Sequence, residues 1–105
     1  RPLMKKPGEG PSKEVRENGW FSATYKALAE DGDVSVFKMH GKGDPGYKIT
    51  SLLVTESALC LVENEQDLPG GSDYGGILTS ATGLGGALIS RLKNAGIVFE
   101  GPMQN

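Results

Sequence analysis

Trp20-Phe21-Ser22-Ala23-Thr24-Tyr25-Lys26-Ala27-Leu28, then Asp31-Gly32, then Val34-Ser35-Val36-Phe37-Lys38-Met39-His40: this stretch alternates, breaks and alternates again. Successive side chains of an extended strand point to opposite faces, so a period of two reads as a strand. In the first run Phe21, Ala23, Tyr25 and Ala27 share one face, and Trp20, Ser22, Thr24, Lys26 and Leu28 share the other. In the second run Val34 and Val36 oppose Phe37 and Met39. An Asp-Gly step between two such runs suits the positive φ of a tight turn. The stretch predicts an antiparallel hairpin.

Working downstream, Gly41-Lys42-Gly43-Asp44-Pro45-Gly46-Tyr47 is punctuated too densely to be anything but a loop. Ile49 to Glu63 reads as a helix. Its apolar residues Ile49, Leu52, Leu53, Leu59, Cys60 and Val62 wrap most of the circumference, which predicts burial on more than one side. Either Thr50 or Asp44 supplies its amino-terminal cap. A polar, glycine-rich loop over 64–76 follows, then a short extended piece, Ile77-Leu78-Thr79. Leu84, Leu88, Leu92 and Ala95 recur at helical spacing and predict a helix from Gly83 to Ala95. Arg91 and Lys93 sit near its carboxy end, where the dipole favours cations, and Gly96 is suited to end it. Ile97-Val98-Phe99-Glu100 is the final strand. Upstream, Pro2, Pro7, Pro11, Gly8 and Gly10 exclude a helix or a central strand over residues 1–11. Ser12 can cap a helical turn over Lys13 to Glu17, with Gly19 just beyond. The expected fold is α+β: an antiparallel hairpin plus short strands in a small mixed sheet, with two main helices packed on it. Residues 1–18 form a lead-in segment and residues 19–101 a single domain.

Composition narrows the function classes. A chain of 105 residues supports one small core, and 37% apolar with 23% charged residues is ordinary for a soluble protein. The 16 glycines are about twice the usual share and cluster at three places, so they mark sharp turns. Net charge is −2 with the signs interspersed, so no basic stripe invites nucleic acid. The longest apolar run is too short and too polar for a membrane span. Arg1, Lys5 and Lys6, with Leu3 and Met4, could touch a membrane surface, but at about 1 kcal/mol per charge they would not anchor the chain. A single cysteine, no secretory signal and no glycosylation triplet lead to the expectation of an intracellular protein, cytoplasmic or organellar (mitochondria included), rather than a secreted one. The start at Arg1 reads as a processed chain or a fragment.

Few residues offer chemistry. Gly83-Leu84-Gly85-Gly86 resembles half of a dinucleotide fingerprint, but the third glycine position holds Leu88 and no acidic residue stands near position 103. A hydrolase triad would need His40, the sole histidine, with Ser80 and Asp73, and no nucleophile elbow surrounds any serine. One cysteine and one histidine without paired spacing give no zinc site. No catalytic, cofactor-binding or metal-ligating residue is therefore assigned. The loop from His40 to Tyr47 is the best candidate region, because it gathers an imidazole, an ammonium, a carboxylate and a phenol: His40, Lys42, Asp44 and Tyr47. The plainer alternative makes Asp44 a cap and Tyr47 a ring packed on the core. Trp20, Phe21 and Tyr25 are either core residues of the hairpin or an interface patch.

Three stretches, in order, resemble one family. They are Pro7-Gly8-Glu9-Gly10-Pro11-Ser12; then Gly41-Lys42-Gly43-Asp44-Pro45-Gly46-Tyr47 with Glu56-Ser57-Ala58-Leu59-Cys60-Leu61; then Gly75-Gly76-Ile77-Leu78-Thr79-Ser80-Ala81-Thr82 with Leu88, Arg91-Leu92, Ala95-Gly96-Ile97 and Phe99-Glu100. From about Pro7 to Glu100 the chain resembles the saccharopine dehydrogenase-like oxidoreductases, which include the trans-acting enoyl reductases. Ser80, where the family pattern leads one to expect proline, and the glycine-rich Leu84-Gly85-Gly86 depart from it. The resemblance implies a larger parent whose amino-terminal Rossmann domain binds NAD(P), with this chain as its carboxy-terminal, substrate-side and subunit-contact part, not catalytic by itself. It implies the missing Rossmann domain or another subunit as partner, or a homodimer. The alternative is a stand-alone binding or structural subunit that kept this fold.

Overall fold

The computed structural model describes residues 8–104; the basic start, with Arg1, Lys5 and Lys6, lies outside the described residues. Ser12 caps α1 (Lys13–Asn18), its hydroxyl accepting the Val15 N–H at 3.3 Å. At Gly19 the chain turns out of that helix directly into β1 (Trp20–Leu28). β1 and β2 (Val34–Lys42) form the expected hairpin, with Leu28 opposite Val34 and Trp20 opposite Lys42. Gly32, at φ +92°, carries the left-handed step of the turn, and the Asp31 carboxylate accepts the Asp33 N–H at 3.1 Å.

A π-turn over Pro45–Ile49 leads into α2 (Thr50–Glu63). The expected extended piece Ile77-Leu78-Thr79 does not join the sheet. Thr79 instead caps α3 (Ser80–Gly83) through a reciprocal capping box with Thr82, and its two orphan helix donors are met that way. The expected single helix from Gly83 to Ala95 is two. Gly85, at φ +49°, breaks it, and α4 (Gly85–Asn94) carries the leucine stripe. Gly96 and Ile97 close α4: Gly96 N–H donates to Lys93 C=O and Ile97 N–H to Leu92 C=O, at 3.0 and 2.9 Å.

β3 (Val98–Gln104) runs past Glu100, through Gly101 and Pro102, and pairs with the far side of β2. The strand order is β1-β2-β3 and both pairings are antiparallel. The sheet is therefore antiparallel throughout, where a mixed one was expected; no strand comes from the 64–79 region to run parallel. Proline is admitted because β3 is an edge strand, whose outward positions need no ladder donor. Val36 faces Met103 and Lys38 faces Glu100, so Phe37 alone spans Gly101 and Pro102 in a bulge.

The core lies between one sheet face and the two long helices. Its buried members are Ile49, Cys60, Leu84, Leu88, Leu92 and Ile97, with Phe21, Met39, Leu52, Leu53 and Phe99 packed around them. The expectation that α2 is covered on more than one side is corrected. Cys60 is its only buried residue, and Val54, Leu61 and Val62 are exposed, because no other described element lies over that side.

Gly101 sits at φ +117°, and a Cβ there would stand 2.7 Å from the Val36 carbonyl oxygen. Both backbone conformation and space demand glycine. Gly101→Ala is expected to destabilise the protein by about 2 kcal/mol or more, read as a lowered urea midpoint. Gly86→Ala, in the first turn of α4 with open space around it, is expected to hold the midpoint or raise it.

Candidate functional site

The loop that carries the candidate residues is built around Asp44. Its carboxylate accepts the Tyr47 N–H at 2.7 Å and its carbonyl accepts the Ile49 N–H at 2.9 Å. Pro45 at the first helical position completes a strong start signal. Asp44 thus caps the π-turn that leads into α2, and α2 itself has no side-chain cap at its start. Thr50 donates its hydroxyl to the Pro45 carbonyl instead, at 2.7 Å. Tyr47 does not lie on the core: its ring faces Gly10 of the lead-in segment, within 3.5 Å of where a Cβ would be, and over half of the residue is exposed.

His40 and Lys42 extend from the sheet face away from the helices. His40 Nε2 lies 3.0 Å from Glu100 Oε1, a partner on β3 that only the pairing of distant strands supplies. The four candidates therefore do not converge. His40 pairs with Glu100 on the outer sheet face, Asp44 caps a helix, and Tyr47 packs on the lead-in segment. Ser80, the serine considered for a triad, lines the opposite side of the sheet. A shallow depression of about 510 Å³ beside Asp44 is bounded by Glu14, Val15, Asn18, Trp20 and Pro45.

The hairpin aromatics divide by face. Phe21 packs against the core, lying over Gly41, its cross-strand neighbour. A Cβ at Gly41 would come within 2.9 Å of the Phe21 ring and 3.0 Å of Ile97. Tyr25 is on the same face but 53% exposed, beside an open space between sheet and helices. Between them opens a groove of about 920 Å³, lined mainly by apolar residues including Tyr25, Phe37, Leu53, Ile89 and Phe99, with Lys93 and Glu100 at its margin. Trp20, on the outer face, is 73% exposed.

One constellation escapes a reading by spacing. Arg91 Nε donates to Glu56 at 2.8 Å, and its Nη1 donates to Glu63 at 2.7 Å and to Asn64 at 3.0 Å. It ties α4 to the carboxy end of α2. The hydrogen bonds it donates to Glu63 and Glu56 hold its pKa above the ordinary value. The sequence places Arg91 by the helix dipole alone; Glu56 and Glu63, two helical turns apart on α2, were the available sign. Beneath this clasp, burial pushes the Cys60 thiol above its ordinary 9.0, against the pull of the Arg91 charge.

The glycine stretch 83–86 does not fit a dinucleotide. It joins two helices rather than a strand to a helix, and a Cβ at Gly85 would meet the Pro69 ring at 2.7 Å, so the close-approach space is already filled. Among the described residues no three His, Cys, Asp or Glu side chains gather as metal ligands, and no helix is long and apolar enough to cross a membrane.

Over 98 residues the chain is 39% identical to a Mycobacterium tuberculosis protein named provisionally as a trans-acting enoyl reductase; the match covers 93% of this chain and 23% of that protein. It is 34% identical over 96 residues to the trans-acting enoyl reductase of Mycobacterium ulcerans, covering 90% and 22%. With the trans-acting enoyl reductase of Mycobacterium bovis it shares 33% over 95 residues, again 90% and 22%. The chain spans less than a quarter of the length of these curated relatives. No protein-family model matches it, and no solved structure matches it.

Asp44→Ala is expected to lower stability by about 1 kcal/mol, and Asp44→Asn by much less, since asparagine keeps the cap; paired urea midpoints measure both. Cys60 is expected to react with a thiol reagent far more slowly in the native protein than in denaturant. Because its folded pKa is the higher one, the thiol's contribution to stability is intact below about pH 9 and is lost as pH rises above that, which a stability–pH series on wild type and Cys60→Ala compares.

Proposed function

We propose that this chain is the carboxy-terminal domain of a larger, saccharopine dehydrogenase-like oxidoreductase that reduces enoyl groups with a nicotinamide cofactor. In that protein it supplies a substrate-side wall and contacts for the remaining domains, while cofactor and reacting groups reside elsewhere. The observation that carries this reading is the 39% identity along 93% of the chain to a relative of which it makes up only 23%. Similarity that continuous keeps the fold and its loops together, so a shared role within a larger whole follows more readily than a new one.

Two features of the structure support the reading. The groove between sheet and helices is open, apolar and without a reacting cluster of its own, as suits a wall rather than a centre. The four polar candidates are each engaged in structural work or spread over different faces. The cofactor would be held by the rest of the protein, since the glycine stretch 83–86, the one that resembles a dinucleotide fingerprint, does not admit it.

The competing reading is a stand-alone binding or structural subunit. The intact mass of the native gene product separates the two. A polypeptide more than four times as long as the matched region, binding NADPH and consuming it with an enoyl substrate, is the expected result. A native chain of 11.1 kDa that binds no nicotinamide overturns the proposal. In the large protein, Ile89→Trp, which fills the groove from α4, is expected to raise KM for the enoyl substrate several-fold, with the cofactor's KM unchanged.

A further inference from the structure

The outer edge of β1 is open along all nine of its residues. The hydrogen-bond phase of the hairpin shows which groups point outward. Gly43 N–H donates to Gly19 C=O at 2.6 Å and Ala29 N–H to Asp33 C=O at 2.9 Å, so the odd-numbered residues of β1 bond to β2. The backbone N–H and C=O groups of Trp20, Ser22, Thr24, Lys26 and Leu28 therefore face away from the sheet, and among the described residues nothing pairs with them. A long edge with one charged side chain and no proline or bulge is the kind that protein chains cover.

Three observations say what covers it. The first is area. The chain exposes 8004 Å², against about 5,700 Å² for a compact monomer of its mass. Setting aside about 150 Å² for each of the eight residues outside the described range still leaves on the order of 1,000 Å² in excess. That is the scale of one side of a stable interface, roughly 800 Å². The radius of gyration, 16.9 Å, likewise exceeds the roughly 13 Å of a compact domain of this length. The second is length: more than three quarters of each relative lies outside the matched region. The third is chemistry. Trp20 and Leu28, at the two ends of the strip, are 73% and 72% exposed on one face. Lys26, Lys38 and Lys42 share that face, and its acid, Glu100, is engaged by His40. A second copy would bring the same surplus of positive charge to the strip, whereas a segment with a carboxylate offsets it.

We infer that the free edge of β1 receives an extended segment of the same polypeptide from outside these 105 residues, which continues the sheet beyond β1. The segment carries apolar side chains against Trp20 and Leu28 and a carboxylate near Thr24 or Lys26, on the lysine face. The inference rests on the reading of this chain as part of a longer protein.

The test is amide-resolved hydrogen exchange on the intact native protein. Ser22, Thr24 and Lys26 are compared with Ala23 and Tyr25, whose amides bond within the hairpin. The expected result is outward amides protected to within about tenfold of the inward ones, at every protein concentration. Thr24→Pro removes one outward donor and leaves the β1–β2 ladder whole; it is expected to speed exchange at Ser22 and Lys26 by about tenfold or more. Outward amides exchanging as free chain, beside protected inward ones, overturn the inference and leave the larger-protein reading standing. Protection that disappears on dilution assigns the edge to a second copy and also overturns it. A native mass of 11.1 kDa removes both readings together.

Discussion

The fold hangs on the crossing of α1 and the β2–α2 loop at Gly19, Gly43 and Asp44. Gly43 donates its N–H to Gly19 at 2.6 Å and Asp44 donates to Arg16 at 3.0 Å, while the Asp44 side chain and carbonyl start the next helix. A Cβ on Gly19 would stand 2.9 Å from the Asp44 nitrogen, and Gly43 holds φ +132°. Two backbones thus touch with nothing between them. The contact sets where β1 begins, where β2 ends and at what angle α2 departs. The core that follows, a stripe of leucines on α4 against Phe21, Met39 and Phe99, depends on that departure. The loop that gathers the most chemistry in the sequence is, in space, a hinge-pin.

How much of this could be read in advance varied by element. The hairpin was legible, because alternation and the Asp-Gly step are local and act in one direction. So were the Ser12 cap, the α4 stripe and the Gly96 stop. Gly85 was not legible as a break, since its positive φ answers to Pro69, sixteen positions away, and periodicity ran through it. Thr79 read as strand because its neighbours are β-branched and apolar, and the capping box that claims it became visible only with Thr82 in helical geometry. The exposed side of α2 could not be read as exposed: an apolar circumference signals burial, and no other described element lies over that side. Of the candidate site, the residues were identifiable and their separation was not. His40 finds Glu100 through strand pairing across sixty positions, and no spacing rule reaches that far.

The misreading of α2 has a general cause. Apolar periodicity reports the surface a complete protein hides, whether or not the hiding element is in the same stretch of chain. Val54, Leu61, Val62, Trp20, Leu28 and Tyr25 all carry that signal and are exposed. The same mismatch supports a domain that works inside a larger body, with the groove beside α4 as a wall.

Phe21 lying over Gly41 has a consequence for how such sequences diverge. The ring occupies the volume that a methyl group at position 41 would need, and Ile97 closes it from the third side. Neither position can change alone by ordinary drift: a side chain at 41 requires a smaller residue at 21, and a small residue at 21 with glycine at 41 leaves a hole beside the barest strand in the sheet. The two sites behave as one heritable character. Across lineages they should be inherited and exchanged as a pair, although they stand on separate strands and neither takes part in chemistry.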